Sequence, residues 1–260
     1  MSDHIPQQDK LMNTSMTPPK RLYQEIGLIL QQRILSGEFN LGDRLPPERD
    51  IAEEMQVSRS VVREAIIMLE LQGLVEVRKG SGVYVIALSI QSQQHPSASQ
   101  PKTRSDIGPF ELLQARQIIE SEIASFAATN LTKNDFSKLR EALDIERKQL
   151  ETGHGDYDGD EQFHLAVAHA SQNSVLCDIV RDLWQRRDES PMWRQLHVRI
   201  TNENYRSAWL EDHEKILFAL QRRSPEAARE AMWQHLEHVK QTLFNLSDAD
   251  DPQFDGFLFR

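Results

Sequence analysis

Two groups of side chains have the types and spacing to do chemistry. Asp160 and His164 lie four residues apart, which on a helix places a carboxylate and an imidazole on one face, within reach of a common ion. His213 and His235 sit in two further helical patterns, and their apolar neighbours (Ile216 and Leu217; Trp233 and Leu236) turn them inward. Four inward groups from three helices fit a metal site; they also fit core histidines, each bonded to a neighbour's carbonyl. His238, three residues after His235, is an alternative donor. The second group is basic. Arg59 and Arg63 stand one turn apart behind Ser58, a residue suited to cap a helix. A helix start of this kind suits a phosphate, and both guanidiniums could enter a major groove to meet a guanine edge.

The elements that must position these groups are legible from periodicity. Val62, Ala65, Ile66 and Leu69 form the buried side of the helix that carries Arg59 and Arg63. A first helix is expected over Arg21 to Ser36, with an apolar stripe of Leu22, Ile26, Ile29, Leu30 and Leu35 and a stop at Gly37. A second starts at Pro47 and buries Ile51, Ala52 and Met55. Val75 and Val77 alternate with Glu76 and Arg78, and Val83 and Val85 flank Tyr84, across the turn Lys79-Gly80-Ser81-Gly82. Three helices followed by this hairpin make a winged helix-turn-helix with Lys79 and Gly80 at the wing tip, where glycine admits close backbone approach.

Residues 89–109, rich in Ser, Gln and Pro, read as a flexible linker that separates two domains. Beyond it the pattern is helical nearly throughout. Helices are expected near 110–129, 132–150, 158–171, 174–188, 190–200, 203–221 and 225–246, forming an antiparallel all-α bundle. The fold class is therefore mainly α. The organisation expected is a disordered arm (1–19), a winged helix-turn-helix (20–88), the linker, a helical effector-binding and dimerisation domain (110–246) and a tail (247–260) whose Phe254, Phe257 and Phe259 dock on an apolar surface.

Bulk properties limit the function classes. The 260 residues include one cysteine, Cys177, which excludes an internal disulfide framework and fits a reducing cytoplasm. No run approaches the roughly 18 apolar residues of a membrane span, and the first twenty residues lack the apolar core of a signal peptide. The net charge is −10, concentrated in the second half: residues 20–88 carry nine Lys and Arg against ten Asp and Glu, residues 110–260 carry 18 against 27. Non-specific DNA affinity should be weak and salt-dependent. Specific binding then needs several aligned contacts, which favours a dimer on two half-sites.

The motifs resemble a known family. Leu45-Pro46-Pro47-Glu48-Arg49, Val57-Ser58-Arg59-Ser60-Val61-Val62-Arg63-Glu64-Ala65, and Gly73-Leu74-Val75 with Arg78-Lys79-Gly80-Ser81-Gly82 are similar to the winged helix of the GntR family of bacterial regulators. Ala115-Arg116 with Glu120, Asp160-Glu161-Gln162-Phe163-His164, and the separated His213 and His235 resemble the helical FCD effector domain of its FadR-type branch. The resemblance implies DNA contacts from Arg49, Ser58, Arg59, Ser60, Val61, Arg63, Lys79 and Gly80. It also implies a divalent metal, zinc or nickel, on Asp160, His164, His213 and His235. Asp plus three His leaves positions that an effector carboxylate could complete, with Arg116 and Glu120 as the effector-binding residues beside it, unless Arg116 is a structural partner of Glu120.

Within that branch Phe110 to Arg116, Pro191 to Trp193, Ala231 to Leu236 and Phe254 to Phe259 resemble regulators of hexuronate (fructuronate and glucuronate) catabolism. That implies a cytoplasmic homodimeric repressor, bound to double-stranded operator DNA and released by a sugar-acid effector. Trp184, Trp193, Trp209 and Trp233 could line a sugar pocket or simply pack the core. Two other classes compete: a metalloenzyme, in which the same cluster activates water, and a constitutive DNA-binding protein whose helical domain only dimerises. The chain has no H-E-x-x-H, nucleophile elbow or phosphate loop to support the enzyme.

Overall fold

A computed structural model describes residues 21–78, 80–88, 107–152, 158–198 and 205–248. The arm, Lys79, most of the linker and the aromatic tail lie outside the described residues.

The first unit is α1 (Leu22–Leu35), α2 (Glu48–Met55), α3 (Arg59–Leu71), β1 (Val75–Arg78) and β2 (Gly82–Val85). The strands are antiparallel, with Val75 opposite Val85 and Val77 opposite Val83, and Arg44 bridges to Tyr84 at the edge. This is the expected winged helix. Ile26, Leu30 and Ile34 of α1 pack on Ile51, Val62, Ala65, Ile66 and Leu69, with Val75, Val83 and Val85 closing the core from the wing. The stripe on α1 differs from expectation: Tyr23, Ile26, Gly27, Leu30 and Ile34 face inward, while Leu22, Ile29 and Leu35 are exposed. Tyr23 and Ile34 each lie one residue from an apolar residue that was counted instead, and a helix this rich in Leu and Ile permits either face.

The second unit is seven helices: α4 (Pro109–Asn130), α5 (Lys133–Thr152), α6 (Asp158–Ala170), α7 (Ser174–Glu189), α8 (Pro191–Val198), α9 (Tyr205–Gln221) and α10 (Pro225–Leu246). Its core is built from Leu139 and Leu143 of α5, Phe163 and Val167 of α6, Ile216 and Leu220 of α9, and Met232 and Leu236 of α10, against the alanines of α4. Each fully buried Leu or Ile contributes roughly 1.5–3 kcal/mol relative to an exposed one. Starts follow local chemistry: the Asn173 side chain accepts from the Val175 and Leu176 amides at 3.0 and 3.3 Å, and prolines open α4 and α10.

The two units are not held apart. Tyr23 and Ile67 share an apolar cluster with Phe110, Leu113, Met192, Trp193, Leu196, Trp209, Val239 and Leu243. The composition of residues 89–109 carries no information about docking. A polar joint reinforces the cluster: the Glu64 carboxylate of α3 accepts from the Phe110 and Glu111 amides at 2.7 and 3.0 Å, capping α4 from another element. A Cβ at Gly108 would sit 2.4 Å from that carboxylate, so the cap requires glycine there.

Candidate functional site

Helix spacing places Asp160 and His164 on one face of α6, as expected, and α9 and α10 bring in His213 and His235. One donor atom from each residue lies within 4.8 Å of the others, and the three imidazoles are buried. His213 Nε2 is 3.1 Å from His235 Nε2, which is 3.3 Å from His164 Nε2; Asp160 Oδ1 is 3.4 Å from His164 Nε2 and 3.6 Å from His213 Nε2. With metal–nitrogen bonds of about 2.1 Å, a tetrahedral or octahedral shell has edges of about 3.0–3.4 Å.

Outer partners set which nitrogen faces inward. His213 Nδ1 bonds Glu146 Oε2 at 2.8 Å, and His164 Nδ1 bonds Glu120 Oε2. A carboxylate behind each imidazole holds the proton on Nδ1 and leaves the Nε2 lone pair for the centre. Behind His235, Asp212 stands 4.0 Å from Nδ1, which has no hydrogen-bond partner among the described residues. His238 points elsewhere, to Asp212 at 2.7 Å with its ring half exposed, so it is not an alternative ligand in this arrangement.

The electrostatics favour a cation. Burial alone would raise the Asp160 carboxyl, but the hydrogen bond and charge of His164 and the charge of His213 outweigh it, and it is held far below the usual carboxylate range. Burial likewise opposes ionisation of Glu120, yet Arg116 and His164 lower it to about 2. His235 is pushed well below the ordinary imidazole value by burial and by the other two histidines, so it stays a neutral donor. The donor set therefore fits a divalent ion: one carboxylate and three buried imidazoles, two of them oriented by carboxylates.

Arg116 donates through Nε to Glu120 at 2.6 Å and lies 4.1 Å over the Trp184 ring. Glu120 thus uses one oxygen on Arg116 and the other on His164, and so orients both side chains. Arg116 still lines a narrow cavity beside Asp160 and His235, closed by Arg187, Trp193, His197 and Trp209. Burial and the Arg187 charge lower His197 to about 4, so its ring is neutral there. A larger groove, about 550 Å³ between α4 and α7, is lined by Ile107, Leu112, Val175 and Ile179 and contains none of the Asp/His cluster. Volume alone would select the wrong place; the convergent polar groups mark the other.

The basic group is arranged differently from the expectation. Arg63 is fully buried, its Nε 2.9 Å from both Glu48 oxygens, because Glu48 on α2 and the end of α10 enclose it. It does not stand beside Arg59 on an open face. Arg59 is partly exposed and bonded to Asp248 at 2.6 Å, while Arg49 is open to solvent beside Asp50. Ser58 holds the N-cap position, but its hydroxyl bonds Ser60 Oγ at 2.9 Å instead of a backbone amide. Val61 is half-buried, and Gly80 takes a positive φ of 65° in the wing turn. Sequence reasoning missed Glu48, Glu146, Asp212 and Arg187. Glu146 is 67 residues from His213, and no local spacing connects them.

Residues 22–85 match the model for bacterial regulatory proteins of the gntR family, and residues 111–238 match the FCD domain. The chain belongs to the GntR family, as a DNA-binding transcription regulator whose winged helix is followed by an FCD domain. Over 247 residues it is 49% identical to the Uxu operon transcriptional regulator of Escherichia coli (strain K12), covering 94% of this chain and 95% of that protein. It is 50% identical over 239 residues to the Uxu operon regulator of Haemophilus influenzae, with 92% and 88% covered. Over 246 residues it is 49% identical to the Exu regulon transcriptional regulator of E. coli (strain K12), with 94% and 93% covered. No helix among the described residues is long and apolar enough to cross a membrane.

Proposed function

We propose that the protein is a homodimeric repressor of hexuronate catabolic genes, released from its operator by a sugar acid such as fructuronate or glucuronate. The observation that carries this reading is the buried Asp160, His164, His213 and His235 cluster opening on a cavity lined by Arg116, in a chain half identical to Uxu operon regulators. Zinc or nickel on that cluster would act as a Lewis acid for one carboxylate of the effector. Arg116 and Arg187 supply positive charge beside it, and Trp193 and Trp209 offer flat walls. The equal identity to an Exu regulon regulator leaves the choice of uronate to experiment.

The cavity holds about one water in this conformation, so a hexuronate must displace α8 or α9 to enter. That requirement suits a switch, because an effector shifts an equilibrium only by binding one state more tightly. Arg49, Ser58, Arg59, Ser60, Val61, Arg63, Lys79 and Gly80 are the DNA-facing set in this reading, Arg63 after leaving Glu48. The homodimer is supported by Ile118 and Phe126 of α4 and Val175 and Ile179 of α7, exposed apolar residues on two neighbouring helices. Cytoplasmic location follows from a DNA target.

The test is titration of glucuronate and fructuronate into a complex of the protein with an operator selected by it from random duplexes. Release with the sugar recovered unchanged is expected. Chemical turnover would instead favour the metalloenzyme, and indifference to every sugar acid would favour a constitutive binder.

A further inference from the structure

The start of α3 is occupied by the end of α10. Arg63 donates to the Phe244 carbonyl and, at 3.1 Å, to Ser247 Oγ, and its guanidinium carbon lies 4.0 Å over the Phe244 ring. Arg59 donates to Asp248 Oδ2 at 2.6 Å, with its own guanidinium carbon 5.1 Å from the same ring. Four consecutive kinds of partner (a ring face, a carbonyl, a hydroxyl and a carboxylate) come from residues 244–248. A guanidinium has a fixed fork of donors and no acceptor, so donors committed to these groups are withdrawn from a phosphate or a guanine edge.

We infer that residues 244–248 form an intramolecular clamp that competes with operator DNA for Arg59 and Arg63. This rests on the reading of α3 as the DNA-contacting helix. Asp248 takes the place of a phosphate, and the clamped and DNA-bound states exclude one another. Apparent operator affinity is then the intrinsic affinity multiplied by the fraction of molecules with the clamp open.

The clamp is tied to the buried cluster by α10 itself. His235 lies nine residues before Phe244, about 13.5 Å along the helix axis at 1.5 Å per residue. Between them Val239 and Leu243 pack against Trp193 and Trp209, the two tryptophans that also line the cavity. N–H···O hydrogen bonds span only about 2.7–3.2 Å between heavy atoms and are steeply sensitive to angle. A slide of α10 by an ångström, driven from the cavity, is enough to make or break the contacts on Arg59 and Arg63.

The experiment measures operator affinity of the full-length protein by fluorescence anisotropy, at fixed salt and without sugar acid. Wild type, Asp248→Asn and Phe244→Leu are compared. Each variant is expected to bind about fivefold more tightly, as loss of one partly exposed ion pair or one cation–π contact implies, with its thermal midpoint lowered by only about 2–4 °C. Asp248→Asn removes a negative charge and would by itself favour any polyanion; Phe244→Leu does not, so tightening in both is required. Wild-type or weaker affinity in a folded Phe244→Leu protein overturns the clamp. If that variant melts early, Asp248→Asn decides, scored as the ratio of operator to random-duplex affinity, with no rise in the ratio counting against the proposal. A wild-type protein that selects no duplex would defeat the reading of α3 instead, which separates the two failures.

Discussion

His213 and His235 face one another Nε2 to Nε2 at 3.1 Å, from different helices, with both rings buried. The Glu146 carboxylate accepts from His213 Nδ1, which turns the His213 Nε2 lone pair toward His235 and Asp160. A divalent cation held by both Nε2 atoms fits that arrangement. His213→Ala should therefore lower bound divalent metal well below one ion per chain and weaken the response to sugar acid. Elemental analysis of the purified protein checks it; full occupancy in the variant would reject His213 as a ligand. Chelation of wild type should lower its stability by about 3–4 kcal/mol if the ion is present at 100–1,000 times its Kd.

Glu146 orients that imidazole from outside the ligand set. Replacing it with Gln keeps the shape and removes the charge, and metal affinity should fall by about 10- to 100-fold while the fold persists. Competition with a fluorescent chelator measures the change. An unaltered affinity would mean that packing alone, such as the stacked Phe163 ring 4.6 Å away, orients His213.

Arg63 and Arg59 should give different phenotypes. Arg63→Ala leaves Glu48 buried without its main partner, a loss of about 3–5 kcal/mol, visible as a lower urea midpoint. The Glu48→Ala, Arg63→Ala double variant should recover part of it, since the residual charge is gone. Arg59→Ala should cost only about 1 kcal/mol of stability, as loss of a partly exposed ion pair implies, and weaken operator binding, with a shallower dependence on salt. A fully stable Arg63→Ala protein would show that the buried pair is energetically idle.

Glu64 couples the two units to pH. Burial raises its carboxyl from 4.5 to about 7, even though the Glu111 and Phe110 amides oppose the shift. The folded protein therefore holds this proton more tightly than the unfolded chain does. Its contribution is fully present below about pH 4.5, declines as pH rises to about 7 and is flat above, up to about 3 kcal/mol in total. In Glu64→Gln that slope should vanish from a plot of thermal midpoint against pH, while the wild type keeps it.

Much of the fold was legible because helices announce themselves locally. Pro225 and Asn173 mark starts by chemistry that acts within one turn, and the described helices begin within about two residues of their expected places. The Asp160–His164 pair was legible for the same reason. What was not legible was decided by partners on other elements. The α4 cap comes from Glu64, 46 residues upstream, and the Arg63 counter-ion from Glu48 on another helix. An arginine on a polar face looks free until the neighbouring helix is placed. The stripe on α1 failed because Tyr23 finds its partners in the second unit, on which the periodicity of residues 21–36 carries no information.

The apolar cluster shared by Tyr23, Ile67, Phe110, Trp193 and Leu243 has a consequence for biosynthesis. The winged helix leaves the ribosome first, with its own core of Leu30, Ile66 and Val83 complete by residue 85. At that moment Ile67 and the Arg63–Glu48 pair still lack their covers, which arrive with α8 and with α10, more than a hundred residues later. A nascent chain can thus carry a folded but unsealed winged helix, which α10 covers only once it is made. Synthesis of α10, rather than completion of the first domain, sets when Arg59 and Arg63 meet residues 244–248.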